Sequence, residues 1–377
     1  MPIKYILIDD ASPDEIKPYT EAVVSATSGL RIADLQPSQF DDLTLVLRKE
    51  TPDGVILDLR LDQQANADGY VVRFTAQALA QELRTRMAMR GSKAMQPAPI
   101  VLWSADGNID ALFLRDDTAQ DLFDAVYQKD QAVAADPERV AIELTALATG
   151  YKEIRGVLAT GKKAPSFLPS LLQIPDGAEY LDVRIVDALD KTPKPSVHEV
   201  ARFVLQEMIK RPGPLIDETT LAARLGINPS RSRDWKSLIN KSARNFVFKG
   251  IFSTAWPRWW AVGLELWWAE YICSSHPLRT LTAPERVSLL RKKLSLKSLA
   301  THNDVEGSQK FWTVCRATDR PLDPIDGLRI SERDHAPWQD VAYISVGAAI
   351  DRIAHQKGLK VHPLDRERLS QIIKTMS

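Results

Sequence analysis

Short apolar runs separated by longer amphipathic stretches mark the first part of the chain. Tyr5-Ile6-Leu7-Ile8, Gly54-Val55-Ile56-Leu57 and Ile100-Val101-Leu102-Trp103 lack polar alternation, so each predicts a strand buried on both faces. Asp14 to Ala26 and Gly69 to Arg90 carry helical spacing, and Leu122 to Tyr127 predicts a last strand. Strands alternating with helices predict a parallel sheet covered on both faces, which binds ligands beyond the carboxyl ends of its strands. Farther on, Asp136 and Pro137 form an N-cap and first helical position. They open a helix through Val140, Leu144, Leu147, Tyr151 and Ile154. The expected organisation is a domain over 1–133, a connecting helix and linker over 134–165, and a mainly α-helical output domain over 166–377. The proline-rich stretch from Lys162 to Pro195 is expected to be irregular. Helices are predicted at 197–210, 218–226, 229–246, 259–273, 283–298, 338–357 and 364–375.

Composition narrows the class. With 377 residues, 44% of them hydrophobic, the chain has enough apolar content for more than one core. Two cysteines, Cys273 and Cys315, cannot build a disulfide framework or a four-cysteine zinc site. The start, MPIKYILIDDASPDE, runs from apolar residues straight into acids, unlike a signal peptide. Arg258, Glu265 and Glu270 interrupt the most apolar later stretch. Export and a membrane anchor are not expected, and a cytoplasmic location is. The 49 basic and 49 acidic residues cancel only on average. Residues 1–135 hold 13 Lys+Arg against 21 Asp+Glu, a net −8, and the remainder holds 36 against 28, a net +8. Opposite charge in the two parts predicts different partners for each.

The candidate chemistry falls at the predicted strand ends. Asp9 and Asp10 follow the first strand, Asp58 the run ending at Leu57, Ser104 the run ending at Trp103, and Lys129 the last strand. Taken singly, an Asp-Asp pair or a serine after a strand often caps the next helix. Three carboxylates converging on one pocket repel one another unless a divalent cation neutralises them, and hard oxygen donors suit Mg²⁺. A hydroxyl and a lysine beside them complete a site for a phosphoryl group.

This ordered set resembles the receiver domain of two-component response regulators, over about the first third of the chain. The resemblance implies an α/β, flavodoxin-like fold with a parallel five-stranded sheet. It also implies Asp58 as phosphoacceptor, metal ligands Asp9, Asp10 and Asp58 for Mg²⁺, and Ser104, followed by Ala105, and Lys129 as the residues that assist phosphoryl transfer. Asp68-Gly69 matches the family's turn downstream of the acceptor. The implied partner is a histidine kinase or phosphotransfer protein, and the implied role is phosphoacceptor rather than enzyme. Three features depart from the family: Asp130 stands where a proline usually follows the lysine, the usual aromatic position holds Val126, with Tyr127 one place later, and the stretch between Gly69 and Pro97 is unusually long, as if its helix were extended. An atypical, phosphorylation-independent receiver fused to a protein-interaction domain is therefore the alternative.

In the output part, Thr220 to Trp235 resembles a helix-turn-helix. Its second helix would open at Asn228-Pro229 and present Arg231, Arg233 and Lys236 to nucleic acid. Thr219 to Arg258 contains eight Lys+Arg and one acid, which suits DNA phosphates. Within the aromatic cluster that runs from Trp256 through Trp259 to Trp268, the spacing of Trp260, Leu264, Trp267 and Trp268 puts large rings on one helix face, which predicts either a core helix or an interface for a protein partner. A homodimer is the remaining partner expectation. Gly156 to Lys163 looks like a phosphate-binding loop, but no strand precedes it and Lys163 replaces the required Ser or Thr. Arg333-Asp334-His335 reads as a surface loop rather than a catalytic cluster.

Overall fold

The computed structural model describes residues 2–376, except 90, 92, 93, 106–120, 176–179, 192, 193, 304, 306, 333 and 334. Arg333 and Asp334 thus lie outside the described residues, while His335 Nδ1 stands 3.5 Å from a Glu332 carboxylate oxygen. The chain forms two compact units. The first comprises residues 1–172, 188–205 and 249–256, and the second 173–187, 206–248 and 257–377.

In the first unit, β1 (Ile3–Ile8), β2 (Leu30–Leu35), β3 (Gly54–Asp58), β4 (Ile100–Ser104) and β5 (Ala125–Gln128) form one parallel sheet, in the order β2-β1-β3-β4-β5. This is the doubly wound, flavodoxin-like order. Every residue of β3 and β4 is buried, as the unbroken apolar runs require of strands covered on both sides. Edge strand β2 is different: in Leu-Arg-Ile-Ala-Asp-Leu only Leu30 is buried, and its sequence carries no strand signal.

One face of the sheet, through Ile6, Ile8, Val55, Leu57, Ile100 and Leu102, packs with residues of α2 (Phe40–Glu50) and α3 (Ala76–Ala88). A long helix spanning 69–90 was expected, but α3 starts only at Ala76. Ahead of it, Leu61 and Val72 enter the core from irregular chain, and Gly69 turns at φ +72°. From Tyr70 to Arg90 neither proline nor glycine marks the break, which hid it from the helical spacing.

Helix α1 (Pro13–Ser25), opened by a Ser12/Glu15 capping box, packs beside α4 (Pro137–Leu158). The α4 helix, expected as a connector, therefore completes the helical cover of the sheet, and the first unit extends well past residue 133. Tyr5, fully buried on β1, donates its hydroxyl to the Leu144 carbonyl of α4 at 2.7 Å. That bond satisfies the phenol inside the core and fixes its ring over Gly54. The stretch after α4, expected to be irregular, holds α5 (Ala164–Leu172) and α6 (Val183–Asp190). The apolar side chains Phe167, Leu168, Leu171 and Leu172 are buried, and Pro169 stands inside the helix.

Among its described residues, the second unit is mainly short helices with three two-stranded antiparallel ladders: Leu215–Ile216 with Trp259–Trp260, Thr313–Val314 with Pro321–Leu322, and Gly327–Arg329 with Tyr343–Ser345. The helix expected over 229–246 is broken. Pro229–Arg231 is a 3-10 turn, Ser232 is extended, and the α-helix spans only Trp235–Lys241. The cause is the buried Ser232 hydroxyl, which donates to the Asn228 carbonyl and accepts from the Ala300 amide, both at 2.7 Å. The pattern over 338–357 likewise divides into a strand, then Val346–Ile350 and Ile353–Gln356, separated by Arg352 at φ +60°.

Trp259, Trp260, Trp267 and Trp268 are all buried. Trp260 meets Tyr180 and Phe248 edge-on at 5.8 and 5.7 Å between ring centres, and Phe246 lies 5.6 Å from Trp267. Of the two expected readings, core or docking face, these tryptophans take the first, because their rings already have partners within the unit. No helix among the described residues is long and apolar enough to cross a membrane.

A Cβ added to Gly54 would sit 2.1 Å from the Tyr5 ring, which its own hydrogen bond prevents from moving aside. Gly54→Ala should destabilise the first unit by about 1–3 kcal/mol. Urea unfolding checks this, and pairing the change with Tyr5→Leu should recover part of the loss.

Candidate functional site

Because the sheet is parallel, the carboxyl ends of all its strands lie at one edge. Strand order reverses between β1 and β3, where doubly wound sheets bind ligands. Asp9 and Asp10 leave β1 there, and Asp58 is the last residue of β3. Register places Asp58 opposite Trp103, beside Ser104 at the end of β4, and Ser104 opposite Gln128, beside Lys129. All five residues proposed from sequence reach this edge, and all are buried.

The Lys129 ammonium is the bridge. It donates to Asp9 Oδ2 at 2.8 Å and to Asp58 Oδ1 at 2.7 Å. The remaining oxygens are held by backbone amides: Ala11 donates to Asp9 at 2.9 Å, and Arg60 to Asp58 at 2.8 Å. Asp10 accepts from the Gln63 and Gln64 amides, both at 2.7 Å. Those two amides were not legible in sequence, since they reach Asp10 from a loop more than 50 residues away.

Asp9, Asp10 and Asp58 each offer an oxygen within 4.8 Å of the others. Three carboxylates against one ammonium leave a buried excess of negative charge. Burial pushes the Asp58 carboxyl up to about 6, with the Asp9 charge adding and Lys129 opposing. Burial alone would lower the Lys129 ammonium, but the charges of Asp58 and Asp9 outweigh it and hold it above its ordinary value. The donor set fits a hard divalent cation: clustered carboxylate oxygens, a charge deficit and pre-positioned lone pairs.

The two departures behind β5 have structural expression. Asp130 accepts a hydrogen bond from the Tyr19 hydroxyl of α1 at 2.8 Å. Tyr127 is buried, and its hydroxyl donates to Glu143 of α4, which also pairs with Arg139 at 3.0 Å, whereas Val126 is exposed. The aromatic side chain is thus fixed under α4 rather than placed beside the acidic site.

Arg231, Arg233 and Lys236 belong to the second unit and are exposed. They occupy a 3-10 turn, a following turn and a short helix, not one helical face.

No protein-family profile and no curated protein matches the sequence. Solved structures similar to its N-terminal part are receiver domains of response regulators. The signal receiver domain of the response regulator NarL from Mycobacterium tuberculosis is 14% identical, with a TM-score of 0.26; the match spans 37% of this chain and 92% of that one. A CheY-like receiver domain from Methylobacillus flagellatus is 17% identical over 36% of this chain and 95% of its own, at a TM-score of 0.25. The Mn²⁺-bound form of the response regulator Rcp1 is 13% identical over 39% and 95%, at 0.25.

Ionising Asp58 without a cation is costly, so its contribution to stability is full in acid and falls as pH rises through about 6. A bound divalent cation needs the carboxylate and should reverse this trend. Mg²⁺ or Mn²⁺ should therefore raise the thermal midpoint more at pH 7 than at pH 5, with affinity about tenfold tighter at the higher pH. Asp58→Asn should flatten the dependence, as isothermal titration at the two pH values would report.

Proposed function

We propose that the chain is a response-regulator-like signalling protein whose first unit accepts a phosphoryl group on Asp58 from a histidine kinase or phosphotransfer protein. The observation that carries this reading is Lys129 bridging Asp9 and Asp58 at the ligand-binding edge of the sheet. The carboxylate needs no separate base once ionised. Its oxygen attacks phosphorus, an O–P bond forms as the donor's N–P bond breaks, and the departing electron pair stays on the imidazole nitrogen. Mg²⁺ held by Asp9, Asp10 and Asp58 would neutralise charge on the phosphoryl oxygens. Lys129, already within reach of Asp58, would exchange a carboxylate contact for a phosphoryl oxygen, and Ser104 at the end of β4 would offer its hydroxyl. The chain is on this reading a phosphoacceptor rather than an enzyme with its own substrate.

A second reading has specific support: Tyr127, fixed by Glu143, is not free to follow the state of Asp58. A receiver that acts without phosphorylation, joined to a protein-interaction domain, would tolerate this. Incubation with Mg²⁺ and a small acyl phosphate separates the two. The first reading expects one phosphoryl group per chain, labile to base and lost in Asp58→Ala; no incorporation from any donor favours the second.

For the output, we read the exposed Arg231, Arg233 and Lys236 as contacts to DNA phosphates. The broken second helix favours backbone contact over base readout by a continuous recognition helix. If each side chain neutralises one phosphate, the triple alanine variant should reduce the slope of log affinity against log salt by about 3. Unchanged duplex binding and slope would contradict this assignment.

A further inference from the structure

The first unit contains a second polar cluster, at the opposite ends of the strands from the acidic site. Asp124 lies just ahead of β5, and its Oδ2 accepts from Arg84 Nη2 of α3 at 2.8 Å and from the Ile100 amide at 2.9 Å. Arg84 also donates to the carbonyls of Ala98 and Leu122. Tyr151 of α4 stands at the centre. Its hydroxyl lies 2.7 Å from Asp124 Oδ1, 3.3 Å from Arg84 Nη1 and 2.8 Å from Nδ1 of His198, which belongs to the helix Val197–Arg202. The other ring nitrogen, Nε2, lies 2.8 Å from the Asp121 carbonyl oxygen.

Counting protons across these contacts decides the state of the ring. A carbonyl only accepts, so Nε2 must carry a proton. The Tyr151 hydroxyl has one proton, and its close partner Asp124 Oδ1 is an acceptor. With that proton directed at Asp124, the phenol oxygen can only accept from His198, so Nδ1 must carry a proton as well. Either neutral tautomer leaves one contact of 2.7–2.8 Å with no proton between its atoms. The doubly protonated ring satisfies all of them.

The surroundings are consistent with a positive ring. Asp124 Oδ1 lies 3.7 Å from Nδ1, and Asp121 pairs with Arg202 at 2.6 Å on the same helix as His198. Although burial pushes the Asp124 carboxyl up, Arg84, His198 and Tyr151 together hold it well below the usual carboxylate range. Among the described residues, the charged or titratable groups facing the ring are thus Arg84 from α3, Asp121 and Asp124 from the segment entering β5, Tyr151 from α4, and Arg202 beside it.

We propose that His198 is a proton-operated latch that fastens the helix Val197–Arg202 to α4 and to the segment entering β5. The helix runs without a break into the π-helix Phe203–Ile209, within which the chain passes at Gln206 into the second unit. Loss of one ring proton removes a hydrogen bond and sets lone pairs against each other at Tyr151, so attachment should weaken as pH rises. This device does not depend on phosphorylation of Asp58, and it can succeed or fail separately from that reading.

The test is ¹⁵N NMR of the full chain with selectively labelled histidine, the His198 signals being assigned through His198→Gln. Both ring nitrogens should be protonated while the helix is attached, and amide exchange over 197–202, corrected for intrinsic rates, should accelerate about tenfold as pH is raised until the ring signals report loss of one proton. Tyr151→Phe should abolish most of that pH dependence. A ring with one bare nitrogen while these amides stay protected would overturn the proposal. So would corrected exchange in the unaltered protein that is flat across the ring's titration, a measurement that needs no variant to fold.

Discussion

The first unit's function depends on one arrangement of charge: a buried lysine held between two aspartates at the edge where strand order reverses. Lys129 reaches Asp9 and Asp58 at once because parallel strands deliver all their carboxyl ends to the same place. The buried ammonium is stabilised only because two carboxylates face it, and the carboxylates are tolerated only because it lies between them. One ammonium does not neutralise three acids. The remaining negative charge suits the site to a divalent cation, and on the proposed reading that cation in turn admits a phosphoryl group.

Maintaining that edge is a matter of packing elsewhere. Tyr5 joins β1 to α4 through the Leu144 carbonyl, and Tyr127 joins β5 to α4 through Glu143. At the opposite ends of the strands, Arg84 and Asp124 form a buried ion pair that ties α3 to the entry of β5. Removing one partner of such a pair would strand the other charge in the core, at a cost of about 3–5 kcal/mol. The α4 helix is therefore central to the first unit: it covers one face of the sheet, holds an aromatic residue of each of two strands, and places Tyr151 against Asp124.

The acidic site and the central strands were legible in the sequence because both rest on local signals. An apolar run without alternation means a strand buried on both sides, and a polar residue directly after it must lie at the strand end. Strand β2 was not legible, since an edge strand with Arg31 and Asp34 exposes most of its length. The α4 helix was readable as a helix but not as part of the sheet's cover, because its partner Tyr5 is 139 residues away. The broken second helix of the helix-turn-helix-like segment has the same cause: Ser232 is held by Ala300, and no local pattern announces that bond. The His198 cluster was equally hidden, since its members come from four separate stretches of chain.

The central claim is that the Lys129-bridged acids form one site for a divalent cation and a phosphoryl group. A crystal structure of the protein with Mn²⁺ and a beryllium fluoride mimic of the phosphoryl group tests it most directly. The expected result is an anomalous peak ligated by Asp9, Asp10 and Asp58, the mimic bonded to an Asp58 oxygen, and Lys129 Nζ turned toward a fluorine. A peak elsewhere, or a site that stays empty while Lys129 keeps both aspartates, would contradict it.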